Sequence, residues 1–123
     1  MTTPIAICAA VFFLGMGLYG LLAPAALIRP FGITLDSAEA RTEVRAVYGG
    51  FGVAVGGLLV WAAAATGASR QGVLAAVGVA LLGMAAGRLF ARAFDRPAAF
   101  YPSWFYFWVE VIGGGLLLAC AAA

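Results

Sequence analysis

"FYPSWFYFWVEVIGGGLLL" occupies residues 100–118. It opens on a dense run of aromatics, continues as apolar chain and carries one acid, Glu110. An apolar run of this length reads as a helix that crosses a bilayer, since a span takes about 20 residues. A backbone in lipid must satisfy its own hydrogen bonds, which favours helix. The competing reading, a transmembrane strand, needs alternation over about ten residues, and the stretch has none. The carboxylate then needs a reason, because an acid at the centre of a span costs roughly 2.5–3.5 kcal/mol on insertion scales.

The rest of the chain repeats the pattern. Of its 123 residues, 65% are hydrophobic and 10% charged, against about 25% charged in soluble domains. Further apolar runs cover about Ile5–Ala23, Val44–Ala65 and Gly72–Phe94. The fold class expected is all-α: a polytopic membrane protein folded as an antiparallel bundle of four transmembrane helices. One domain over residues 1–123 is expected, with helices at about 5–23, 37–66, 71–94 and 101–122. The first run lacks the basic residues that precede a signal peptide's apolar core and is long enough to span, so it reads as a retained helix.

The longest link is "PAALIRPFGITLDSAEARTE", residues 24–43. Pro24, Pro30 and Gly32 interrupt helix there. Asp36-x-x-Glu39 has the form of a capping box and sets the expected start of the second helix near Asp36. With the helices alternating in direction, Arg29, Arg41, Arg45, Arg92 and Arg96 gather at one face, with Arg70 alone at the other. The positive-inside rule makes the arginine-rich face cytoplasmic and both termini periplasmic, in a bacterial inner membrane.

Glu110 lies nine residues beyond Tyr101, about 13 Å along a helix. Arg88 lies seven residues before Asp95, about 10 Å from the same face. The two helices are joined by a short loop, so Arg88 is the expected partner of Glu110, in a geometry that can be bidentate. Glu43, Arg45 and Tyr48 enter the second helix from that face, and Arg92 sits one turn from Arg88. Glu43, Arg45, Tyr48, Arg88, Arg92 and Glu110 are therefore the candidate ligand-binding residues. They are expected to line a polar funnel with Glu110 at its floor. The structural alternative, an Arg–Glu pair that only locks two helices together, stands beside it.

Other features read as architecture. Gly49, Gly52 and Gly56 form a small-residue stripe, and Gly83-x-x-x-Gly87 is a second. Tyr101, Trp104, Tyr106 and Trp108 fit an interfacial aromatic belt. Cys8 and Cys120 lie at similar depth and read as unpaired thiols, with a disulfide as the alternative. Arg29-Pro30 and Arg96-Pro97 are 67 positions apart, as are Glu43-Val44 and Glu110-Val111. This is a faint sign of two parallel halves.

"YGLLAP", "EVRAVYGGFG", "GRLFARAFDRP" and "VEVIGGGLLL", in this order, resemble a bacterial family of small four-helix membrane proteins, domain-of-unknown-function family 4345. The resemblance covers nearly the whole chain. It implies the four-helix fold and draws attention to Glu43, Arg45, Tyr48, Arg88 and Glu110, but implies no activity. The family usually has Asp-Gly where this chain has Asp95-Arg96, which puts a tight turn there in question. The DoxX-like four-helix proteins are similar in architecture only.

The residues set the function classes in order. Histidine is absent, which removes the commonest metal ligand and general base. There is no Cys-x-x-Cys. No cofactor and no metal is expected, and an enzyme ranks last. A net charge of +2 gives no reason to expect nucleic acid. The favoured reading is a binding or accessory membrane protein. It takes an anionic or amphipathic ligand, lipid, quinone or partner subunit, with membrane lipids as neighbours. A homo-oligomer or membrane complex fits the same pattern. The alternative is a small oligomeric transporter that uses Glu110.

Overall fold

A computed structural model describes residues 1–97 and 99–123 of the chain. Its long helices are α1 (Thr2–Leu22), α3 (Ala38–Ala64), α4 (Gly67–Ala91) and α5 (Phe100–Ala122). A short helix α2 (Pro24–Ile28) follows α1, and there is no strand among the described residues. All four long helices have the length and composition of membrane spans. The protein is a multi-pass membrane protein built on an all-α bundle.

The helix ends differ from the sequence reading for local reasons. Pro24 does not only stop α1. It occupies the first turn of α2, where a missing N–H costs nothing. The cap of α3 is Ser37, whose Oγ accepts from the Ala40 N–H at 3.0 Å. Asp36 instead accepts from Thr34 Oγ1 at 3.3 Å, so the cap lies one residue beyond the expected box. Helix α4 begins at Gly67, leaving only Ala65–Thr66 as the link from α3. It ends at Ala91 and closes through tight turns, with the Ala93 N–H on the Phe90 carbonyl and the Phe94 N–H on the Ala91 carbonyl. Pro97 follows, and a residue before proline disfavours helix.

The bundle is two tight pairs. Helices α1 and α3 approach so closely that a Cβ on Gly17 would lie 2.5 Å from the Val53 nitrogen, and one on Gly52 would lie 2.9 Å from the Gly17 Cα. The stripe of Gly49, Gly52 and Gly56 thus packs on α1. Helices α4 and α5 meet through Gly78 and Gly114, where an added Cβ would come within 3.0 Å of the facing carbonyl. Gly83 and Gly87 differ: no atom lies within 4 Å of a Cβ built on either, and the Gly83-x-x-x-Gly87 stripe faces outward.

The pairs share a buried core at one end and meet at the other through Phe31 on Tyr106. Ala6, Ala10, Leu59, Ala62, Ala63, Leu74, Val77, Leu81, Leu117 and Cys120 form the common core, beside the α3–α4 link and away from most of the arginines. Toward the arginine-rich end the pairs separate, and the space between them stays open. Cys120 belongs to the core, Cys8 is exposed, and both are free thiols. The two halves also differ at their matched positions. Glu43 is exposed and Glu110 buried.

Candidate functional site

The two helix pairs enclose a cavity of about 490 Å³ where they part. Each wall has its own source. Helix α1 contributes Phe12, Phe13 and Met16. Leu27 and Ile28 of α2, with Phe31, form a cap at the arginine-rich end. Helix α3 supplies Ala46, Val47, Tyr48, Phe51 and Gly52; α4 supplies Leu81, Met84 and Arg88; α5 supplies Tyr106 and Glu110.

Local chain geometry sets the cap. After α2 the chain makes one tight turn, Arg29–Phe31, closed by the Gly32 N–H on the Arg29 carbonyl at 2.9 Å. Gly32 then turns the chain with φ +75°, a left-handed conformation that glycine adopts without strain. Phe31 ends up stacked on Tyr106, with ring centroids 5.8 Å apart and planes 26° from parallel. The strap between α1 and α3 is thereby fixed to α5.

The α3 wall contains a widened turn. Over Arg45–Gly50 the helix runs in π form, and the Phe51 N–H reaches the Ala46 carbonyl five residues back. Such wide turns recur at functional sites. Here the turn carries Val47 and Tyr48, both on the cavity wall. At its start, Arg45 Nε donates to the Leu21 carbonyl at 3.0 Å. That carbonyl is in the last turn of α1, where the helix offers no partner of its own.

Arg88 and Glu110 meet as the spacing predicts. Nε donates to one carboxylate oxygen at 2.8 Å and Nη2 to the other at 3.0 Å. This parallel geometry is the strong form of the pair. Among the described residues it is the one ion pair. Glu110 is 3% exposed, so both its oxygens are satisfied in apolar surroundings. The Arg88 side chain is 25% exposed and borders the cavity. Its guanidinium carbon also lies 5.7 Å from the centre of the Tyr106 ring, within cation–π reach.

The six candidate residues separate into two groups. Tyr48, Arg88 and Glu110 line the cavity. Glu43, Arg45 and Arg92 are exposed and are not among its lining residues. The expected polar funnel is therefore an apolar cavity with one charge pair in its wall. Arg45 is held at the end of α1 by its bond to the Leu21 carbonyl, and Leu27, Ile28 and Phe31 occupy the arginine-rich end of the cavity. Arg92 lies past the end of α4.

Other lining residues escaped the sequence reading. Tyr106 was assigned to the interfacial belt, yet it is one turn before Glu110 and shares its face. Met84 stands in the same relation to Arg88. Leu27, Ile28 and Phe31 lie in the link between the first two spans, although so apolar a link is poorly suited to water. Phe12, Phe13 and Met16 carry no signal, since an apolar residue of a span reads the same toward lipid or cavity.

No curated protein and no solved structure matches the chain. A family model does: "Domain of unknown function (DUF4345)" matches residues 1–121. The chain belongs to that family.

Proposed function

We propose that this membrane protein binds an amphipathic ligand in the cavity between its helix pairs, with the ligand's polar end at Arg88. One observation carries the reading: a cavity of about 490 Å³ within the spans has a buried ion pair in its wall. Ligand pockets typically have about 300–1,000 Å³ of largely apolar lining and a few placed polar groups. Pure helix glue needs the pair but not the cavity. Six aromatic rings from four parts of the chain line it, which suits a lipid chain or a flat ring such as that of a quinone. A transporter that works through Glu110 needs a carboxylate free to exchange partners, and here both its oxygens are held by Arg88. The binding reading is therefore preferred.

Native mass spectrometry of protein extracted from the membrane tests the proposal. Wild-type protein is expected to carry a small-molecule adduct. Met16→Trp, which fills the cavity from α1, should lower its occupancy at least fivefold. Equal occupancy in both, or none in either, would count against the cavity as a site.

The proposal includes an orientation in the bacterial inner membrane. Arg29, Arg41, Arg45, Arg92 and Arg96 stand at the cavity end of the bundle and Arg70 at the other, which favours a cytoplasmic cavity end and periplasmic termini. A C-terminal alkaline phosphatase fusion is then expected to be active and a C-terminal green fluorescent protein fusion dark. The reverse pattern would invert the protein.

A further inference from the structure

The cavity wall is not equally closed all round. Its lining residues from α1, α2 and α5 are buried or half-buried, as is Phe31. The exposed ones are Ala46, Val47, Tyr48 and Phe51 on α3 and Met84 on α4. Val47 is 51% exposed, Phe51 60% and Met84 50%. The exposed side of the cavity is thus its α3 and α4 side, and we take its mouth to lie between these helices. These helices are joined by two residues at the far end, and both contribute to the core beside that link, α3 with Leu59, Ala62 and Ala63 and α4 with Leu74 and Val77. They diverge toward the cavity.

The depth of the mouth decides what lies outside it. Met84 is seven residues inside the end of α4 at Ala91, about 10 Å along the axis. A hydrocarbon core is about 30 Å thick. The mouth thus faces acyl chains, while the arginine-rich end is covered by Leu27, Ile28 and Phe31.

The charge pair decides the polar end of the occupant. Arg88 spends two of its five N–H groups on Glu110. The three others have no partner among the described residues and can donate. The pair has no net charge. For an anionic group at Arg88, repulsion from the Glu110 carboxylate a few ångströms away would cancel much of the guanidinium's attraction and leave little to offset the cost of taking the anion out of water. A neutral acceptor, such as an ester or ketone carbonyl, takes the free N–H groups without that repulsion.

We infer that the occupant is an uncharged single-chain lipid with an acceptor oxygen at its polar end, and that it enters from the bilayer between α3 and α4. This rests on the ligand-binding reading above and adds its chemical class and route. Protein in lipid nanodiscs would be irradiated with a diazirine-tailed monoacylglycerol, or with an alkyl sulfate bearing the same tail. Adducts are read peptide by peptide. The neutral probe should label the peptides carrying Phe12, Met16 and Phe51, saturably and at least tenfold more than the sulfate. Met84→Trp narrows the mouth from α4 and should lower this labelling fivefold or more. Val47→Trp does the same from α3. Both positions are exposed, so either variant can report if the other folds poorly. Saturable labelling that favours the sulfate, or that ignores both tryptophans, overturns the inference while leaving a binding cavity in place. No saturable labelling by either probe overturns the inference and the ligand-binding reading together.

Discussion

Glu110→Ala is expected to cost about 3–5 kcal/mol of stability, the usual penalty for removing one partner of a buried ion pair. The loss comes less from the missing hydrogen bonds than from what remains. Arg88 would keep its charge in a wall of aromatic and aliphatic side chains, with the Tyr106 face as its only nearby compensation. Arg88→Ala should be costly in the same way, because it strands a carboxylate that is 3% exposed. The double variant leaves neither charge behind and should cost clearly less than the sum of the two. Reversible unfolding in detergent, or steric trapping in bilayers, gives the three values. Additive costs would mean that the 2.8 Å and 3.0 Å contacts carry no coupling.

Gly17→Leu should prevent the α1–α3 pair from forming. Even a Cβ at Gly17 meets the Val53 nitrogen at 2.5 Å and the Gly49 carbonyl oxygen at 2.8 Å. Both are backbone atoms that no rotamer change can move, so the helices must separate. Overpacking a core by extra methylenes typically costs about 1–3 kcal/mol. A whole leucine against backbone exceeds that range and should abolish folded, monodisperse protein after extraction. Gly83→Leu is the matched control. It is a glycine of the same kind of stripe, but with nothing within 4 Å of its added Cβ. Its effect should stay within about 0.5 kcal/mol, as for an ordinary surface change. A folded Gly17→Leu protein would contradict the close pairing of α1 and α3.

The same contrast shows what the sequence could convey. Hydropathy and chain breakers gave four spans because lipid imposes one simple demand on composition. Arg88 and Glu110 could be paired because charges are rare in spans and their depths follow from helix rise. Two glycine stripes looked alike, yet Gly49, Gly52 and Gly56 pack on a neighbour and Gly83 and Gly87 do not. Spacing places residues on a face but does not say what the face meets. The division into two pairs was hidden for the same reason, and with it the cavity. Tyr48 was found through its polar neighbours, while Phe12, Phe51 and Met84 were not. In a membrane protein, apolar residues toward lipid, core and cavity share one composition. Glu43, Arg45 and Arg92 stand outside the cavity lining, and a solvated charge near the interface has the same residue type and depth as one that lines a site.

The cavity beside Arg88 is the proposed binding site. A crystal structure grown from a lipidic mesophase, without added ligand, tests this most directly. The expected result is elongated density that starts at the free N–H groups of Arg88, runs between Phe12 and Phe51 and leaves past Met84, with the Arg88–Glu110 pair intact. Helix pairs closed against each other with no cavity, or a cavity holding only ordered water, would contradict it.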